Sequence, residues 1–323
     1  MPGTTILASA ADTLYTATIL AYSIAILFFA ADFALALRGA SALVGPDGSR
    51  LPGDDEPAEA AVGAASSVRG ARAGRIAMRL TMFAVSLHGA AILTRGFAAN
   101  RIPLGNMFEI ATVVIFVGVA SFLVICIREP RISGVGVFVM LPITLGLALN
   151  GLFLYAQAGP LVAALRSGWL VVHVTAVSVG FGAFLTSGIV SALYLVRARH
   201  EASESSAVGR LAGIAQRLPR AETLDLAAYR LVVFGFPIFT FAVIAGAIWA
   251  ENAWGRFWGW DPKEIWAFIA FIVYAAYLHA RATAGWRGRA AARVNLAGLF
   301  VMLFNLLFIN IVVAGLHSYA GIK

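Results

Sequence analysis

Five of the seven tryptophans of this chain stand within eighteen residues, in the run Trp249-Ala-Glu-Asn-Ala-Trp254-Gly-Arg-Phe-Trp258-Gly-Trp260-Asp261-Pro-Lys-Glu264-Ile-Trp266. Indole offers a flat, polarizable face, and several in one loop make a surface on which a large planar ligand can stack. Aromatic residues that merely mark a membrane interface are normally spread over many helices. On spacing alone two readings stand level: a stacking platform, and an interfacial turn that re-enters the membrane. Gly255 and Gly259 serve either, by letting the backbone turn or approach a ligand closely. Trp254 and Trp258, four apart, share a face where the piece is helical. Part of the run is structural. Asp261-Pro-Lys-Glu264 reads as a helix start, with Asp as cap, Pro in the first turn and an acid at the third helical position.

Imidazole is the second chemistry-bearing type. His173 and His317 lie at the ends of two apolar segments, on the side of the membrane that also receives the tryptophan-rich loop, one on each flank of it. That is a two-ligand geometry. A bound haem takes an axial imidazole on each face and aromatic contact over the ring, and neutral imidazole suits iron. The other reading for each histidine alone is a hydrogen-bonded residue at the interface. His279 falls near the opposite end of its span, about eighteen residues from Asp261 or roughly 27 Å at the helical rise, so it belongs to a second, inner position or to the inner interface beside Arg281. His88 lies inside a span and reads as a functional group or a helix contact; His200, in a charged loop, reads as solvated. Glu109 is out of place one turn into an apolar segment, where it pairs with Arg95 or Arg101 or joins Asn106 in capping its helix. Arg95, Arg101, Arg166 and Arg256 are candidates for haem propionates or for headgroup anchors. The single cysteine, Cys126, excludes an intrachain disulfide, a thiolate metal site and a haem held through a Cys-x-x-Cys-His motif.

The elements that must position these groups follow from composition. With 60% hydrophobic and 12% charged residues and a mean hydropathy of +0.85, the chain is an all-α polytopic integral membrane protein. The net charge of +8 implies no nucleic-acid partner, because the basic residues fall in short loops beside apolar runs. About eight transmembrane helices are expected, near 14–37, 76–95, 106–127, 134–154, 168–196, 229–250, 264–280 and 295–316. The first is read as a retained span and not a cleaved signal, since no basic region precedes it. The organisation is then a first span over 1–37, a flexible cytoplasmic linker over 38–75, and a membrane domain over 76–323 that carries the tryptophan loop at 249–266. An amphipathic surface helix is expected around 206–218. Lys and Arg number seventeen in 38–75, 128–133, 197–230 and 281–293 and six in the alternate set, which makes the first set cytoplasmic, both termini extracytoplasmic and the tryptophan loop extracytoplasmic.

At these residues the chain resembles a known family. Trp254-Gly-Arg-Phe-Trp258-Gly-Trp260-Asp261-Pro-Lys-Glu264-Ile-Trp266 is similar to the WWD signature of haem-handling proteins. Gly315-Leu316-His317-Ser318-Tyr319 resembles the C-terminal end of the CcsA/ResC branch, which belongs to the type II cytochrome c biogenesis system. Pro103-Leu-Gly-Asn106-Met-Phe-Glu109 and Tyr277-Leu-His279-Ala-Arg281 are similar to further motifs of that branch, with Gly105 and Phe108 departing from its usual Pro-Leu-Ser-Asn-x-Tyr-Glu. The resemblance implies a haem transport and attachment module of the bacterial plasma membrane, part of a cytochrome c synthase complex. Its partners would be a CcsB/ResB-type membrane subunit and apocytochrome c. It implies haem b bound non-covalently in transit, with His173 and His317 as external iron ligands, His279 as the transmembrane ligand opposed by a group of the partner, and Trp254, Trp258, Trp260 and Asp261 around the macrocycle. The competing readings are a type I system protein, which shares the WWD loop, and a secondary transporter with an aromatic substrate gate.

Overall fold

The computed structural model describes residues 2–41, 56–159, 161, 165–202, 210–283, 285–313 and 315–317. They form nine principal helices: α1 (Pro2–Ser41), α2 (Glu56–Ala99), α3 (Met107–Arg128), α4 (Gly136–Phe153), α5 (Gly168–Glu201), α6 (Arg210–Arg217), α7 (Ala221–Trp254), α8 (Pro262–Thr283) and α9 (Arg289–Phe304). A 3₁₀ turn, Pro130–Val135, leads into α4. A π segment, Asn305–Ile309, and one last turn, Asn310–Val312, continue α9. Eight segments are long and apolar enough to cross a membrane, as the hydropathy pattern requires. The short amphipathic stretch expected around 206–218 is α6, while residues 203–209 lie outside the described residues.

Two boundaries differ from the sequence expectation. α2 begins at Glu56, so residues 56–75 continue a transmembrane helix instead of serving as linker; Ala-rich sequence with Arg at 69, 72 and 75 is a good helix former even where it is too polar to read as a span. Residues 42–55, with Asp54 and Asp55, lie outside the described residues. At the other end the helix stops at Val312, four residues short of the end expected for the span 295–316. His317 therefore sits in a turn after the helix and not in its last turn.

The hub of the bundle is α5. In its most apolar window 67% of the residues are buried, against 17% for α8, so α5 is the helix others pack around and α8 faces outward along most of its length. Small residues on α5 make this possible. A Cβ on Gly182 would come within 2.6 Å of Val117 on α3, one on Gly180 within 3.3 Å of the Gly235 carbonyl on α7, and the Gly188 face is filled by Leu299 of α9. Close backbone approach of this kind is how membrane helices gain contact when burial from lipid offers little. Buried polar side chains tie the same helices together: Asn295 Nδ2 donates to the hydroxyls of Ser187 and Ser191 at 2.8 Å each, and Ser187 Oγ donates to the Ala228 carbonyl at 2.8 Å. Away from the tryptophan loop, Arg281 holds Asp225 through two bonds of 2.8 and 2.9 Å and lies 4.3 Å from the Tyr229 ring, which locks the far ends of α7 and α8.

Candidate functional site

α7 ends in the tryptophan run. Gly255, in the left-handed conformation at φ 71°, stops the helix as a C-cap, and α8 starts again at Pro262. The start is the capping arrangement read from the sequence. Asp261 Oδ1 accepts the Lys263 N–H at 3.1 Å, and Glu264 Oε2 reaches back to the N–H groups of Asp261 and Gly259 at 3.2 and 2.8 Å. Between these two helix ends the loop turns through Trp260, a non-glycine residue with φ of 58°. A bulky side chain there costs about 1–3 kcal/mol, strain that persists only where the surroundings over-determine it.

Asp261 has a second role that capping alone does not reveal. His317 Nδ1 donates to its Oδ1 at 2.9 Å and the Leu316 N–H donates to its Oδ2 at 2.8 Å, so the carboxylate ties the chain after α9 to the start of α8. Gly315 passes close enough that a Cβ would lie 2.7 Å from Asp261 Oδ2. Burial alone raises the Asp261 carboxyl, but the donors from His317, Leu316 and Lys263 outweigh it and hold the group down at about 2. Burial lowers the His317 imidazole and the Asp261 contact offsets this only in part, which leaves the ring neutral near pH 7.

His173, in the second turn of α5, is held in the same manner. Its Nδ1 donates to the carbonyl of Ala242 on α7 at 2.7 Å. Gly246, one turn further along α7, gives the ring its space, because a Cβ there would meet the imidazole at 2.6 Å. Each imidazole is thus oriented through Nδ1, and Nε2 is the nitrogen of each that can serve a metal.

Trp249 packs against both rings. Its indole is stacked against His173 at 6.1 Å between centroids with 11° between planes, and stands 5.9 Å from His317. Trp254 is 4.8 Å from Trp249 and 5.1 Å from His317. Both histidines, Trp249, Trp254 and Trp258 line one cavity that opens to solvent and has about 130 Å³ of room, below the roughly 300–1,000 Å³ usual for ligand sites, so a large ligand needs these walls to part. Its remaining walls are mainly apolar, from Met107 and Ile110 on α3, Val177 and Phe181 on α5, and Phe239 and Val243 on α7. Among the described residues no cluster of three or more His, Cys, Asp or Glu side chains could hold a bare metal ion. Two imidazoles on the wall of one mainly apolar cavity suit instead an iron whose other four positions a macrocycle already fills.

Of the residues expected at this site, His173, His317, Trp254 and Trp258 line the cavity, and Asp261 acts one layer behind by orienting His317. Trp260 does not line it. The positive φ goes with an indole turned outward, 65% exposed, in edge-to-face contact with Trp258 at 5.8 Å. None of Arg95, Arg101, Arg166 and Arg256 lines the cavity either. Arg95 and Arg101 both bind Glu109, through contacts of 2.7 to 3.0 Å, and Glu109 also accepts the Gly105 N–H while Asn106 caps its helix. Arg95 and Arg101 further donate to the carbonyls of Ala156 and Gly159, so the Pro103–Glu109 motif clamps two loops together. Leu104, Leu161 and Leu165 from these loops then pack with Leu170, Val174 and Trp249, which is how the clamp reaches the site. His88 is buried against Tyr22, 3.3 Å from its hydroxyl, and edge-on to Phe116, so it serves helix contact between α1, α2 and α3. His279 is exposed on α8, far from the cavity.

Two cavity residues escape a reading of the sequence. Trp249 belongs to the tryptophan run, but its place against both imidazoles depends on the rotation of α7 against α5. Lys263 passes for part of the helix start, yet it lines the cavity. A signal for it exists: a cation beside tryptophans at a helix N-terminus, where the helix dipole disfavours positive charge.

A family model described as cytochrome C assembly protein matches residues 104–317. Among curated proteins, the chain is 43% identical over 179 residues to the "Cytochrome c biogenesis protein CcsA" of Parasynechococcus marenigrum (strain WH8102), which covers 50% of this chain and 59% of that one. It is 35% identical over 268 residues to the protein of the same name from Synechococcus sp. (strain CC9605), over 77% of this chain and 87% of the other. A third, from Synechococcus elongatus (strain ATCC 33912 / PCC 7942 / FACHB-805), is 35% identical over 274 residues, 71% and 83% of the two chains. The matched region includes both cavity histidines and the whole tryptophan run.

Proposed function

The chain belongs to the cytochrome c assembly protein family, and from that premise we propose that it takes part in cytochrome c biogenesis by holding haem b non-covalently at the cavity between His173 and His317 and presenting it to apocytochrome c. The observation that carries this reading is that two histidines 144 residues apart in the chain, each fixed through Nδ1, line one cavity together with Trp249, Trp254 and Trp258. Haem is here the cargo. Its vinyl groups are the acceptors: each cysteine S–H of the apocytochrome adds across a vinyl C=C to give a thioether, with no atom lost and no net redox change.

The residues of this chain do the positioning. His173 and His317 offer Nε2 to the two faces of the iron, Asp261 and the Ala242 carbonyl keep the rings in the tautomer that allows it, and Trp249, Trp254 and Trp258 cover the macrocycle and exclude water. Placing the acceptor in one orientation beside the mouth of the cavity converts thiol addition from a bimolecular encounter into a local one. His279, exposed on α8, is proposed as the inner ligand at which haem is received, with its opposing ligand and the covering surface supplied by a CcsB/ResB-type subunit. The tryptophan loop and both termini are proposed to be extracytoplasmic, in a bacterial plasma membrane.

The test is the absorption spectrum of the purified protein with and without the co-expressed partner subunit. A Soret band of bis-imidazole type is expected, weakened in His173→Ala and His317→Ala and regained on adding imidazole. A pure, folded complex with no Soret band, or one unaffected by both substitutions, would rule the site out.

A further inference from the structure

We propose that Lys263 binds a propionate of the porphyrin and thereby sets which edge of the ring faces out of the cavity, an inference that rests on the haem reading above. Lys263 is the basic residue, apart from the two histidines, that lines the cavity. Its ammonium donates to Asn310 Oδ1 at 2.6 Å and makes no ion pair among the described residues, although an ammonium has three donors to place. The neighbouring carboxylates are engaged elsewhere except at Glu264 Oε1, which accepts no hydrogen bond among the described residues. Asp261 accepts from His317, Leu316 and the Lys263 backbone N–H. Glu264, also on the cavity wall, accepts the Gly259 and Asp261 N–H groups on Oε2, and its Oε1 lies 3.9 Å from the Arg256 guanidinium, which offsets its repulsion of an incoming anion. Lys263 is half-buried, and a charge with unfilled donors in a mainly apolar wall is costly unless a ligand brings the opposite charge.

The lysine is also held in position to meet such a ligand. Asn305 and Asn310, five residues apart, would point roughly 140° apart on a regular α-helix. The π segment Asn305–Ile309 widens the turn, and both asparagines reach Lys263: Asn305 Nδ2 donates to its carbonyl at 3.3 Å and Asn310 accepts from its ammonium. π turns of this kind recur at functional sites because they re-aim side chains. The four arginines that could have done the same work lie off the cavity wall, two of them on Glu109.

A ligand held only by two axial imidazoles is free to turn in its own plane. In haem b the propionates occupy one edge and the vinyls the other, so a cation that fixes the first edge directs the second towards the opening. The substrate class is thereby narrowed to porphyrins with free carboxylates.

The purified complex with its partner subunit is titrated with haem and with haem dimethyl ester, whose propionates are uncharged, and both affinities are read from the Soret band. The wild type is expected to favour haem by about tenfold or more, the range of a hydrogen bond to a charged group. Lys263→Met keeps the apolar stem and is expected to bind both ligands equally with the bis-imidazole spectrum unchanged, while Lys263→Arg keeps the preference. A preference that persists in Lys263→Met overturns the proposal. So does a wild type that binds the two ligands equally, a comparison that needs no variant to fold. Absence of a Soret band with either ligand would instead sink the haem reading itself.

Discussion

Asp261 shows how one side chain can serve fold and site together, and two substitutions separate the roles. Asn caps a helix about as well as Asp, so Asp261→Asn keeps the start of α8 and an Oδ1 facing His317, while removing the negative charge behind the ring and turning the acceptor of the Leu316 N–H into a donor. Haem affinity is expected to fall by about 10- to 100-fold with thermal stability little changed, since the cost of losing a ligand's hydrogen-bonded support lies in that range. Asp261→Ala should show the same loss of affinity and, in addition, about 1 kcal/mol of lost stability for the cap. Equal affinities for wild type and Asp261→Asn, by Soret titration, would remove Asp261 from the site. Gly246→Val tests the other face. The added Cβ falls on the His173 ring, so the Soret band should resemble that of His173→Ala and recover with imidazole, although residue 173 is untouched. His173, His317, Trp254, Trp258 and Asp261 are legible in the sequence because their types and clustering are rare by chance. The positions of Trp249 and Lys263 and the outward turn of Trp260 are not, because each depends on a helix rotation or a single backbone angle that residue types do not encode.

Helices are where the hydropathy pattern is most and least informative. Eight spans can be read from runs of apolar residues, since nothing else accommodates such runs in lipid. Their ends cannot. α2 extends upstream through polar sequence, and α9 gives way to a π segment whose i+5 bonding has no signature in composition. The clamp at the start of α3 is half legible: Arg95, Arg101 and Asn106 stand out as partners for Glu109, but all three act at once and bring in the 155–159 loop as well. Its energetics give the element-scale prediction. The Glu109 side chain is 0% exposed and compensates two arginines, so Glu109→Ala leaves buried positive charge unpaired and should cost about 3–5 kcal/mol, read as earlier thermal unfolding in detergent. Because Leu104 and Leu161 pack towards Trp249, the surviving folded fraction should also bind haem less tightly. A variant as stable as the wild type would show that the clamp is surface decoration.

At the scale of the whole molecule the distribution of charge and of exposed surface makes one further claim that chemistry can decide. The site residues stand at the end of the bundle where α7 passes to α8, and the proposal that this end faces the outside of the cell rests on the seventeen-to-six bias of Lys and Arg. The chain has a single cysteine, Cys126, which is buried, so introduced thiols report without a competing background. Phe257, 60% exposed in the tryptophan loop, and Arg199, exposed near the opposite end of α5, are suitable positions. In intact cells a membrane-impermeant maleimide should label Phe257→Cys and spare Arg199→Cys, with the pattern reversed in inside-out vesicles. The opposite labelling would place the cavity on the cytoplasmic side, where apocytochrome thiols do not receive haem, and would break the proposed order of transfer from His279 outward. The same reasoning bears on α8. We propose that the partner subunit docks on the open face of α8 that carries His279, in which case co-expression should slow reagent access at a cysteine near the end of that helix, as in Ala282→Cys, which is exposed. Unchanged access on co-expression would mean that the partner docks on another face, and that His279 must find its opposing ligand elsewhere.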